Sequence, residues 1–232
     1  MGLNDLDSTV HIHLSSFTGF FLSFMGPSFL REFYRTVFLD KSGIALVSEQ
    51  DAEISGFAVG TTEPGGFYRR TVLNNWHRFL LASFIPVLKK PQTMLCLSRR
   101  LVTTTRSNYV ENEALLLSIA VHPLKQARGI GKQLIKGFAA EAERRGATSI
   151  SLLTDRLNNE VTNQFYLQAG FACTRSFITS EGRPMNEYQR LLVSNHRSNN
   201  EHKPHSTIIR DVHQNLLERP PQLLENGYKT QL

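Results

Sequence analysis

The chain has 232 residues, 41% of them hydrophobic and 20% charged, with a formal net charge of +6. That length supports one large domain with a core of its own, and the composition excludes collagen, coiled coil and wholesale disorder. Two cysteines, Cys96 and Cys173, are too few for a disulfide framework or a four-cysteine zinc site, so a reduced, cytoplasmic setting is expected.

Residues 6–17 and 27–38 read as two helices, with Ser8 as a cap for the first and Pro27 in the first turn of the second. The apolar stretch 17–30 is too short to span a bilayer, and Gly19, Gly26 and Pro27 interrupt it. It follows acidic residues, Asp5 and Asp7, so it lacks the basic start of a signal peptide and reads as buried helix and turn. Residues 43–49 and 54–62 read as a hairpin that turns at Asp51. Residues 67–90 put Val72, Trp76, Leu80, Phe84 and Val87 at helical spacing, with Pro86 expected to kink or end the helix. A shorter helix, 92–101, and a polar loop, 106–112, follow.

Between Pro64 and Asn112, eight lysines and arginines face one acid, Glu111; this local surplus of +7 exceeds that of the whole chain. Such a field attracts anions: a phosphorylated cofactor, a nucleotide-linked substrate or, as the weaker reading, a membrane surface. A solvated helix face explains the same residues. Nucleic acid fits poorly, because no recognisable binding motif interleaves the charges.

Residues 114–121 (ALLLSIAV) form a continuous apolar run that stops at His122-Pro123, as a fully buried central strand does. Residues 129–145 form a helix with Ile130, Leu134, Ile135, Phe138 and Ala142 on one face and Gly146 at its C-terminal cap. Residues 148–154 are the next strand, 160–169 a helix, and 171–179 and 186–193 two more strands. From Ser194 the chain turns polar, with His196, His202, His205 and His213; a mobile tail is expected, with one short helix over 208–217. The histidines match no ligand spacing, so no metal is expected. The organisation is one α+β domain over 1–193, carrying a helical insert at 64–112, and a tail over 194–232.

The chemistry concentrates in residues 118–135, where a buried strand leads through Gly129 and Gly131 into a helix. Unpaired N–H groups at a helix N-terminus, the helix dipole and glycines that admit close approach make an anion site suited to a pyrophosphate. Lys125, Arg128 and Lys132 add charge. The dinucleotide fingerprint fails because Leu134 stands where the third glycine belongs, and the phosphate loop fails because Gln133 follows Gly131-Lys132. The pattern Gln/Arg-x-x-Gly-x-Gly/Ala fits in full over Gln126-Ala127-Arg128-Gly129-Ile130-Gly131.

With that pattern the chain resembles the GNAT superfamily of N-acetyltransferases. Ile119-Ala120-Val121-His122-Pro123 precedes the glycines at the usual distance. Downstream, Asn159, Phe165, Tyr166 and Gly170-Phe171 reproduce the family's Asn-x-x-Ala-x-x-Phe-Tyr-x-x-x-Gly-Phe run, with Thr162 in the alanine place. The opening helix pair more weakly resembles members linked to surface-polysaccharide synthesis. The resemblance implies a three-layer α/β/α fold whose mixed sheet splays at its centre around the pantetheine arm of acetyl-CoA. It implies that the backbone of Ile119, Ala120 and Val121 bonds the pantetheine amides. The backbone of Gln126, Ala127, Arg128, Gly129, Ile130, Gly131 and Lys132 holds the pyrophosphate, and Asn159 bonds the cofactor arm. A neutral amine attacks the thioester directly, an N–H near Ala120 or Val121 steadies the oxyanion, and Tyr166 protonates the departing thiolate.

The general base is open. Where relatives carry a strand glutamate this chain has Leu115, and where others carry an acid it has Thr154, beside Asp155. Glu113 is the candidate base, acting through a water, with a strand-end surface carboxylate as the equal alternative. Cys173 reads as a buried structural thiol, and His122 as loop packing. His11 and His13 border the acceptor side. Two departures from the family stand out: there is little room for its first strand, and the insert before the motif strand is long. The expected acceptor is a primary amine of a small molecule, such as an amino sugar or its nucleotide-linked form. A protein or peptide amine and a non-catalytic CoA-binding module are the alternatives. The expected assembly is a monomer or homodimer.

Overall fold

The computed structural model describes residues 1–18, 20–89, 110–179, 182–192 and 208–210. A 3-10 turn leads into α1 (Leu6–Ser16), and α2 (Phe21–Phe24) and α3 (Gly26–Leu39) follow. The hairpin strands are β1 (Gly43–Gln50) and β2 (Glu53–Thr61), joined through Asp51 and Ala52, both at positive φ as a tight primed turn requires. Then come α4 (Phe67–Lys89), β3 (Glu113–Val121), α5 (Ile130–Arg144), β4 (Ser149–Asp155), α6 (Glu160–Gln168), β5 (Ala172–Ile178), β6 (Pro184–Leu191) and β7 (Ile208–Arg210).

The strands form one seven-stranded sheet in the order β5-β6-β4-β3-β2-β1-β7. Every described pair is antiparallel except β3–β4, which is parallel. Side chains alternate across the sheet and so build two cores. Ala45, Val47, Phe57, Val59 and Ala120 pack against the layer of α1 and α3. Ile44, Leu46, Ala58, Ala114 and Leu116 pack against Leu134, Ile135 and Phe138 of α5. The result is the α+β, three-layer arrangement expected from the motifs.

Several local readings change. Ser8 lies inside α1, and Asp5 precedes the helix; the Asp5 carboxylate instead accepts from the Gly2 N–H at 2.6 Å. The helix α4 runs past Pro86 to Lys89, and its irregular residue is Asn75 (φ −126°, ψ 18°). The Asn75 amide donates to the Thr71 carbonyl at 3.2 Å, competing with the helix ladder as short polar side chains do. The segments 92–101 and 106–109 lie outside the described residues.

β3 is central but only partly buried: Leu117, Ser118 and Ile119 stand half open. Cys173 is exposed rather than buried, because β5 is the outer strand of the sheet and nearly all its residues are exposed. Residues 208–210 are a strand, not the start of a helix. β7 pairs antiparallel with Val47, Ser48 and Glu49 of β1 and so covers the sheet edge that the family's first strand would occupy.

Candidate active site

The site begins with a failure of pairing. β3 and β4 keep register only at Glu113–Ser149, Ala114–Ile150 and Leu115–Ser151. Beyond that rung β3 stays with β2 up to Val121, while β4 stays with β6 up to Asp155. The register of β3 against β2 shifts between Val59 and Gly60, leaving Leu117 as an extra residue. A bulge of this kind bends a strand and turns it away from its neighbour. The half-open residues Leu117, Ser118 and Ile119 lie along the resulting cleft, and their unpaired backbone edge can accept an extended chain.

At the open end of β3 a loop turns into α5. His122 N–H donates to the Ser55 carbonyl at 2.9 Å, anchoring the exit to β2. Ala127 (φ 61°) and Gly129 (φ 79°) are both left-handed, and Gly129 stands at the helix N-cap without a side-chain cap bond. A Cβ on Gly129 would meet nothing within 4 Å, so the glycine is required by backbone angle, not by crowding. Ile130, Gly131 and Lys132 then present first-turn N–H groups that an α-helix cannot satisfy internally. The first turn holds no acid. It holds Lys132, a charge that the dipole disfavours there unless an anion joins it. Gly131 packs beside Phe165 of α6, where a Cβ would come within 3.2 Å of the ring. Arg128 and Lys132 are exposed, whereas Lys125 reaches back to Glu53 at 2.9 Å, which holds that carboxyl below its ordinary range.

The other bank is α6. Asn159 donates its side-chain amide to Thr154 Oγ1 at 2.8 Å and to the Asp155 carbonyl at 3.1 Å. Asn163 donates to the Asp155 carbonyl at 3.0 Å and accepts from the Tyr188 hydroxyl at 2.9 Å. These bonds lock α6 to β4 and β6. Tyr166 is 7% exposed and packs against Phe165, Phe171 and Tyr188. Burial pushes its phenol well above the ordinary range, so it keeps its proton at neutral pH.

The two catalytic candidates sit on different elements, Tyr166 on α6 and Glu113 on β3. Glu113 starts β3 at the closed end of the cleft, 1% exposed, so it is no surface carboxylate. It accepts from Gln189 Nε2 and from the Val110 N–H, each at 3.3 Å. Five strand residues, roughly 16 Å, separate it from Ser118 at the bulge. Asp155 is also engaged: both its oxygens accept from the Arg183 guanidinium.

Two features were not read from the sequence. Arg183, just ahead of β6, lies over the Phe20 ring at 5.1 Å, joining the α1–α2 segment to the end of β4. His13 is 3% exposed and meets the Tyr34 hydroxyl at 2.6 Å, and Tyr34 in turn donates to Ser118 Oγ at 3.3 Å. Burial lowers the His13 pKa to about 4. His11 is exposed and stacks on His122, with ring centroids 5.8 Å apart. No group of three metal-ligating side chains occurs among the described residues.

The family model described as "Acetyltransferase (GNAT) family" matches residues 6–171. The chain belongs to that family. It is an acetyl-CoA-dependent N-acetyltransferase, and the cleft and the uncapped α5 terminus fit that co-substrate. Solved structures share the fold. The ribosomal-protein-S18-alanine N-acetyltransferase from Escherichia coli aligns at TM-score 0.51 and 16% identity, over 85% of this chain and 96% of that one. Ard1 from Thermoplasma volcanium aligns at 0.53 and 17%, over 84% and 95%. An N-acetyltransferase from Staphylococcus aureus Mu50 aligns at 0.54 and 15%, over 83% and 96%. A search of the curated proteins found no significant sequence match. No helix among the described residues is long and apolar enough to cross a membrane.

Proposed function

We propose that this N-acetyltransferase acetylates a primary amine of a small molecule, an amino sugar or its nucleotide-linked form being the favoured class. The observation that carries the reading is the bridge from Phe20 to Arg183 and on to Asp155, which spans the open end of the cleft on the α1 side. An extended peptide needs an open groove there, whereas a compact amine needs a covered one. The alternatives are a protein N-terminus or lysine, and a module that binds CoA without turnover. We take the domain as residues 1–193, with 194–232 as a tail that returns β7 to the sheet edge, in a cytoplasmic monomer or homodimer.

In this mechanism acetyl-CoA supplies an activated acetyl group as a thioester. The backbone of Ile119, Ala120 and Val121 bonds the pantetheine amides. Gln126, Ala127, Arg128, Gly129, Ile130, Gly131 and Lys132 hold the diphosphate through main-chain N–H groups and charge. The Asn159 amide nitrogen already serves Thr154 and Asp155, so its side-chain oxygen is the atom that would accept from the cofactor arm. Tyr166, kept protonated by burial, gives its proton to the departing thiolate. Glu113 and Asp155 hold the sheet together rather than take the amine's proton; an amine that arrives neutral sheds one proton as the amide forms, and that proton returns through water to the Tyr166 phenolate.

Thiol release from acetyl-CoA, followed over a panel of amino sugars, small amines and N-terminal peptides, tests this. Turnover is expected with a small amine, and Tyr166→Phe is expected to lower it at least tenfold while leaving CoA affinity unchanged. Turnover confined to peptides overturns the acceptor reading. Equal rates in the variant remove Tyr166 from the mechanism.

A further inference from the structure

We propose that the Ser118 hydroxyl donates a hydrogen bond to the acetyl carbonyl oxygen of the bound thioester, and that Tyr34 and His13 are positioning residues that orient it. The proposal rests on acetyl-CoA occupying the cleft between β3 and β4. Ser118 follows the extra residue Leu117, where β3 has already parted from β4, and it is half open to the cleft.

Tyr34 has one hydroxyl proton, and it goes to Ser118 Oγ. In the tautomer this proposal assigns to His13, the 2.6 Å contact with Nδ1 runs from the ring N–H to the phenol oxygen. That tautomer leaves Nε2 as a bare acceptor, buried and without a partner. Three donors thus point the same way, from ring to phenol to serine. No acceptor among the described residues takes the last proton, the one on Ser118.

Donors in series polarise one another in a low-dielectric interior. The chain ends on a partly exposed hydroxyl at the cleft, which suits an oxygen gaining negative charge and not an ammonium. Tyr34 is wholly buried, clasped by Phe33 and Phe57 with ring centroids 5.3 Å and 5.2 Å away, so its ring and phenol oxygen are held in place between His13 and Ser118. An orphaned ring nitrogen is a costly group to bury, and an apolar residue would fill the same space without it. The arrangement makes sense if the ring's other nitrogen has a task.

Calorimetric titration with acetyl-CoA and with CoA, on wild type, Ser118→Ala, Tyr34→Phe and the double variant, tests the proposal without an acceptor amine. Wild type is expected to prefer acetyl-CoA. Ser118→Ala is expected to lose about fivefold of that preference with CoA affinity unchanged. Tyr34→Phe keeps the ring and is expected to lose a smaller part, and the double variant is expected to match Ser118→Ala. The proposal is overturned by no preference in wild type, by an unchanged preference in Ser118→Ala, or by losses that add in the double variant. Failure of wild type to bind CoA at all is a different result, because it removes the acetyl-CoA site itself.

Discussion

His13 shows how much one residue's environment decides. It lies on α1, touching Phe17 at 4.6 Å between ring centroids and Tyr34 on its other side. Burial holds its pKa at about 4, below the ordinary 6.5. The unfolded chain therefore takes a proton first as the solution is acidified. The neutral ring's full contribution is present above about pH 6.5 and is lost as pH falls toward 4. Over that window the loss is about 3 kcal/mol. His13→Asn keeps a donor for Tyr34 and cannot titrate. Urea unfolding of both proteins at neutral and acid pH is expected to show wild type losing more stability than the variant, by about that amount. Equal losses would mean that the ring is hydrated or already charged. From sequence alone His13 read as a residue bordering the acceptor side. Its partner Tyr34 lies 21 residues away, and Ser118 a further 84, so no local spacing revealed the chain.

At the scale of elements, the sequence was most legible where one local rule acted alone. The periodicity of α5 and the glycines at its ends fixed that helix within one residue at each end. The cleft was legible only through the motif, because strand parting depends on a bulge that no run of apolar residues announces. Gly60 sits at this hinge. A Cβ there would lie 2.2 Å from the Leu115 carbonyl and 2.5 Å from Phe138. The glycine thus lets β2, the last paired rung of β3 and α5 close on one another. Gly60→Ala is expected to cost about 2 kcal/mol or more, read as a lower denaturant midpoint, because backbone on one side and a core ring on the other cannot both yield. A change within about 0.5 kcal/mol would show that the three elements are looser than described. The kink in α4 was misplaced for a related reason. Pro86 is visible in sequence, whereas the Asn75 side chain's competition for the Thr71 carbonyl depends on the turn it sits in.

The whole molecule is a sheet closed at one end and parted at the other. Its α1 side is bridged by Phe20 and Arg183, and its α5 side offers an uncapped helix terminus. The far edge was unreadable from sequence, because β7 follows a polar stretch and pairs with a strand more than 150 residues earlier. The central claim concerns the parted end: main-chain groups at the start of α5 grip the diphosphate while β3 takes the pantetheine arm. Calorimetric titration with CoA beside pantetheine, which lacks the diphosphate, tests it most directly. The account predicts a CoA dissociation constant below about 0.1 mM and pantetheine binding at least tenfold weaker. Equal affinity for the two, or no heat from CoA at millimolar concentration, would contradict it.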